Sequence, residues 1–153
     1  MSTPDERLAE LGLTLPSDTA PLAAYVPAVR TGNLVYTSGQ LPRIGGELTH
    51  VGKVGAEVTP EQAKEAAQAC ALNAIAVVKA EIGDLGKVRR VVKVVGFVAS
   101  TPDFSGQPGV VNGASELLGK VFGDAGVHAR SAVGVAALPL DVPVEVELIV
   151  EVD

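Results

Sequence analysis

The chain has 153 residues, the length of one domain built around one core. Hydrophobic residues make up 47% of it, enough for a well-buried interior and against a disordered chain. A formal charge of −6 and only 3% aromatic residues argue against nucleic-acid binding, which needs a basic footprint and gains from stacking platforms. The local pair Arg89 and Arg90 does not reverse that balance.

The one cysteine, Cys70, has no internal disulfide partner, which suits a reducing compartment. The opening MSTPDERLAELGL is acidic and lacks the basic and apolar regions of a signal peptide. No apolar run approaches the roughly 18 residues of a membrane span. The expectation is a soluble cytoplasmic protein with neither nucleic-acid nor membrane partners.

In chain order, residues 3 to 11 predict a short helix capped by Thr3, with Pro4, Asp5 and Glu6 in its first turn and Leu8 and Leu11 as an apolar stripe. Gly12 ends it, and residues 13 to 24 read as a Pro-, Thr- and Ala-rich connector. In YVPAVRTGNLVYTSGQLP (25–42), two extended runs flank a hairpin turn at Thr31-Gly32-Asn33. Arg43 to Gly46 reads as a turn, and Glu47 to Val54 as a third, more exposed strand.

Thr59-Pro60-Glu61-Gln62 is a helix start with a cap, a proline in the first turn and a capping box. The helix should run to Ile82 and close at Gly83, with Ala63, Ala67, Cys70, Ala74 and Val78 on its packing side. Cys70 is thereby expected to be a buried small residue, not a nucleophile. Val88 to Val98 predicts a strand, Thr101-Pro102-Asp103 breaks it, and Gly109 to Phe122 predicts a second long helix. A strand from Arg130 to Val135 and a last strand from Val142 to Val152 follow. The fold expected is α+β: a mixed sheet with two helices packed on one face.

Alternation along the last strand puts Val142, Val144, Val146, Leu148, Val150 and Val152 on one face. Glu145, Glu147, Ile149 and Glu151 share the other, which either meets water or closes against a second subunit with carboxylates facing a pocket. Arg130 is similarly two-sided. It is always charged and wants planar acceptors. It either ends at the surface, solvated or paired with a glutamate of a neighbouring strand, or clamps an anionic ligand.

Several blocks together resemble one family. ARSAVGVAALPLDVPVEVELIVEV (129–152) is similar to the C-terminal signature of the Rid family, also called YjgF or endoribonuclease L-PSP. YVPAVRTGNLVYTSGQLP resembles its N-terminal Tyr, Gly-Asn turn and Thr-Ser-Gly-Gln, and VVNGASELLGKVFGDAG (110–126) its second helix with Val-Asn. The resemblance covers residue 22 to the end, as a core of 22–153 behind a helical extension and connector of 1–21 in a single domain. The extension and the HARSAVGV wording are similar to a subgroup of longer members.

The resemblance implies a chorismate-mutase-like domain that assembles as a homotrimer, with ligand clefts at subunit interfaces. It implies hydrolysis of small 2-imino or enamino acids to 2-oxo acids and ammonia, without metal or organic cofactor. Arg130 would hold the substrate carboxylate, and a guanidinium fork suits that task. Glu145 would place the attacking water, and Tyr25 would close over the ligand. Gly39 and Ala132 would line the pocket through their backbone, and Asn112 would stand near the site on its helix. Two departures concern activity: Ala132 stands where archetypal members often carry Cys, and Gly134 where they often carry Glu.

Two further readings stand beside the deaminase. A non-catalytic or chaperone-like trimer would bind carboxylate metabolites without turning them over. A ribonuclease, suggested by the family's older label, is opposed by the acidic charge, the few aromatics and the lack of a histidine pair, since His50 and His128 are the only histidines.

Overall fold

The computed structural model describes residues 2–17 and 24–153. The boundary at 21/22 and the middle of the connector lie outside the described residues. The elements are α1 (Pro4–Glu10), β1 (Ala28–Thr31), β2 (Leu34–Thr37), β3 (Arg43–Ile44), β4 (Glu47–Leu48), α2 (Pro60–Ile82), β5 (Val88–Ala99), α3 (Gln107–Phe122), β6 (Ala129–Val135) and β7 (Val144–Val152).

Five strands form one sheet in the order β1-β2-β7-β5-β6. All neighbours are antiparallel except β5 and β6, which α3 connects as a parallel crossover. The sheet is therefore mixed. Both long helices lie on one face of it, the face on which Val144, Val146, Leu148, Val150 and Val152 are buried. Each such valine contributes about 1.5–3 kcal/mol of burial.

Small residues let the layers close. Ala63, Ala67, Cys70, Ala74 and Val78 are all buried, as their spacing predicts. A Cβ on Gly113 of α3 would lie 2.0 Å from the carbonyl oxygen of Lys64 on α2, and one on Gly96 of β5 would lie 2.5 Å from a Val111 methyl. These two glycines let α3 seat against both α2 and the sheet. The helix starts follow the sequence: Thr3 with Glu6, and Thr59 with Gln62, each form a reciprocal capping box.

Four expectations need correction. Arg43–Gly46 is not simply a turn, and no strand runs from 47 to 54. Arg43 and Ile44 pair with Leu48 and Glu47 across a two-residue turn. That turn needs positive φ twice, and Gly45 (+61°) and Gly46 (+83°) supply it. The last strand begins at Val144, not Val142, because Leu140 and Asp141 turn the chain with φ of +57° and Pro143 has no N–H to donate. The helix α3 starts two residues early, at Gln107, with Pro108 in its first turn. In α1 only Leu8 is buried, while Leu11 is 40% exposed at the C-cap. The extension still docks: Arg7 Nη1 donates to the Val121 carbonyl at the end of α3 (3.1 Å).

Candidate functional site

The site residues expected from sequence fall into two groups, and strand register decides which belong together. Arg130 pairs in register with Val94, and Val94 with Leu148. Leu148 points at the helices, so Arg130 and Ala132, two residues on, share that face. Glu145 pairs with Phe97, and Phe97 with Val133, on the opposite face. The two proposed catalytic residues thus lie on opposite faces of the sheet within one chain.

The Arg130 group sits at the sheet edge under α3. Arg130 Nη1 donates to Asn112 Oδ1 (2.7 Å) and to Ser115 Oγ (3.2 Å). Asn112 and Ser115 are three residues apart on α3 and therefore present one face. Among the described residues no carboxylate lies within ion-pair distance of Arg130. Pairing with a neighbouring-strand glutamate is overturned by topology: β6 is an edge strand whose sheet neighbour is β5, and the glutamate-bearing β7 lies beyond it.

Ala132 is partly buried against the core. At Gly134 the missing side chain leaves room for another: a Cβ there would lie 2.8 Å from Gln107 Nε2. Gln107 in turn donates to Ser100 Oγ and to the Phe104 carbonyl. These residues line a cavity of about 460 Å³ at the ends of β5 and β6, beside the first turn of α3. The space beside Gly134 is thus taken by an uncharged amide.

The second group sits where β2 leaves the sheet. Thr37 Oγ1 accepts from the Leu148 amide (2.9 Å), and Gln40 exchanges two backbone hydrogen bonds with Val146. Between these anchors Ser38 and Gly39 pass over β7. Gly39 meets Glu145 there, and a Cβ on Gly39 would fall 2.0 Å from Glu145 Oε2. Only a residue without a side chain admits the carboxylate. Ser38 Oγ donates to the Val26 carbonyl (2.7 Å) and its amide to that of Pro27 (2.8 Å). Tyr25, 55% exposed, immediately precedes this anchored pair in the chain. Asn73 on α2 donates to the carbonyls of Leu41 and Arg43, fixing the far end of the same segment.

Glu145 is partly buried, and this burial, with the charge of Glu147 nearby, raises its pKa above the ordinary carboxylate value. Cys70 lies beneath, with its thiol donating to the Val144 carbonyl. Burial, and then the charge of Glu145, push that thiol well up, so it is a poor nucleophile.

The structure therefore brings Arg130 to Asn112 and Ala132, and Gly39 to Glu145 with Tyr25 close in the chain. It does not bring the two groups together. Arg130 on β6 and Glu145 on β7 are two strand spacings apart across β5, about 10 Å at about 4.8 Å each, and on opposite faces. Sequence reasoning missed Ser115 and gave His128 no role. Both were signalled by period: Ser115 is three residues past Asn112 on a helix, and His128 two before Arg130.

Among the described residues no three His, Cys, Asp or Glu side chains gather at a point able to hold a metal. No helix among them is long and apolar enough to cross a membrane.

Comparison with known proteins shows the family. A family described as YjgF/chorismate-mutase-like endoribonuclease matches residues 5–152. Protein TCP17 of Trypanosoma cruzi is 46% identical over 149 residues, covering 95% of this chain and 92% of that protein. The 2-iminobutanoate/2-iminopropanoate deaminase of Escherichia coli K12 is 35% identical over 139 residues, covering 89% and 94%. The crystal structure of protein Atu1372, of unknown function, from Agrobacterium tumefaciens superposes with a TM-score of 0.92 at 51% identity, covering 98% and 92%.

Proposed function

The chain belongs to the YjgF/chorismate-mutase-like family, and from that premise we propose that it hydrolyses small 2-imino or enamino acids to 2-oxo acids and ammonia. The observation that carries this reading is the guanidinium of Arg130. It is fixed through Nη1 by Asn112 and Ser115 and is not neutralised by a carboxylate among the described residues. Such a group is set to receive a substrate carboxylate. The family's deaminase members act on substrates of this class by name.

The reaction adds water across the protonated C=N carbon and then expels ammonia, leaving a C=O. An iminium is already electrophilic, so the protein's task is to hold, orient and deliver. Arg130 holds the carboxylate. Glu145 accepts a hydrogen bond from the water and takes its proton, and its raised pKa suits that exchange. Gly39 lets that carboxylate approach, and Tyr25 closes the cleft. Because Arg130 and Glu145 face opposite ways in one chain, a working site takes Arg130 from one chain and Glu145 from another. An assembly with clefts between subunits, a trimer in our reading, satisfies this. No cofactor enters the scheme.

A binding-only role draws support from Ala132 and Gly134, where archetypal members often carry Cys and Glu; beside Gly134 stands only the uncharged amide of Gln107. Ribonuclease activity is disfavoured by the net charge of −6. The deciding experiment follows 2-oxo acid and ammonia release from freshly generated 2-iminopropanoate. The wild type is expected to accelerate it and Arg130→Ala to lose the acceleration. Binding of 2-oxo acids without acceleration would establish the binding-only role instead.

A further inference from the structure

The Arg130 cluster extends beyond the residues assigned above. His128 Nδ1 lies 2.6 Å from the Gly126 carbonyl, and His128 Nε2 lies 2.9 Å from Ser115 Oγ. The carbonyl only accepts, so Nδ1 carries a proton; in the tautomer with that single proton, Nε2 accepts and the Ser115 hydroxyl donates to it. Its oxygen in turn accepts from Arg130 Nη1 at 3.2 Å, and the same nitrogen donates to Asn112. Donation thus runs outward from Arg130 in two branches, one through Ser115 and His128 to the Gly126 carbonyl and one directly to Asn112.

The path fixes more than a contact. A hydroxyl in a helix can turn back to its own helix's carbonyls; here His128 draws the proton of Ser115 outward and leaves a lone pair aimed at the guanidinium. Both hydrogen bonds of Arg130 are made by Nη1. The edge it offers a ligand is the opposite one, formed by Nε and Nη2, which matches a carboxylate side-on.

We propose that Ser115 and His128 are positioning residues that, through Nη1, hold Arg130 for side-on binding of the substrate carboxylate and so set the affinity for acid substrates. This rests on the reading of Arg130 as the clamp.

The test measures binding of 2-oxobutanoate by calorimetry, and KM and kcat on 2-iminobutanoate, in five variants. Arg130→Ala is the reference for loss of the clamp. His128→Ala and Ser115→Ala are expected to weaken binding roughly five- to tenfold, the size of one ordinary hydrogen bond, because each acts on the ligand only through Arg130. KM should rise with it, while kcat stays within about twofold, because the lost interaction is common to ground and transition states. His128→Gln, which reaches the Nε2 position, should restore affinity to within about twofold. His128→Asn, which reaches only the Nδ1 position, should not. This pair decides the matter even where His128→Ala folds poorly, since the two differ only in reach.

Near wild-type affinity in His128→Ala and Ser115→Ala, with binding lost in Arg130→Ala, would overturn the relay and leave the clamp standing. Equal affinities in His128→Asn and His128→Gln would also overturn the relay. Wild-type affinity in Arg130→Ala would overturn the clamp itself, and the relay with it.

Discussion

The two halves of the candidate site are built differently. The Arg130 half is a polar network at an open sheet edge, where a helix face and a strand end are tied by side-chain hydrogen bonds. The Glu145 half is a backbone construction: a segment pinned at Thr37 and Gln40 passes over β7, and a glycine leaves space for one carboxylate. The first holds a permanent positive charge in place. The second holds an ionisable group whose burial disfavours its charge. In the function we propose, recognition and proton handling thus fall on opposite faces of one sheet, and each half needs a different kind of support.

Substitutions should separate the halves. The largest effect is expected from Arg130→Ala. Loss of a charged, bidentate contact costs about 3 kcal/mol, so kcat/KM should fall by roughly two orders of magnitude or more in a steady-state assay. Gly39→Ala should act on the other half. Its new Cβ meets the flexible end of Glu145, not backbone, so the carboxylate is displaced while the fold holds. We expect kcat to drop about tenfold with little change in the affinity for 2-oxo acids. An equal loss of affinity would show that the halves are not separable in this way.

The smallest effect concerns stability. A carboxyl whose folded-state pKa is raised binds more protons folded than unfolded. Its charge therefore costs stability at neutral pH, and that cost disappears as pH falls below the unfolded value. Glu145→Gln should melt modestly higher than the wild type near pH 7. The gap should close as the pH approaches 4, followed by thermal melts across that range. Cys70, by contrast, should resist alkylation until the chain unfolds.

Much of the fold was legible because its signals are local. Caps at Thr3 and Thr59, the small-residue side of α2 and the alternation of β7 each rest on a few consecutive residues, and each is where the pattern puts it. The third strand was misread because two glycines, Gly45 and Gly46, close a tight hairpin that shortens both arms to two residues. Arg130, Gly39, Glu145, Tyr25, Ala132 and Asn112 were named from resemblance. Their partition into two faces was not legible, since it depends on β7 inserting between β2 and β5. Ser115 and His128 were overlooked for a related reason: the crossover of α3 over β6 brings their side chains together, and neither residue type is distinctive alone.

The central claim is that one active centre draws Arg130 and Glu145 from different chains. Mixing Arg130→Ala with Glu145→Gln subunits, by co-expression or refolding, tests it most directly. Each variant alone should be nearly inactive. A 1:1 random mixture should regain up to about a quarter of wild-type activity, because that fraction of interfaces pairs an intact Arg130 with an intact Glu145. Activity in the mixture no greater than that of the separate variants would contradict the account.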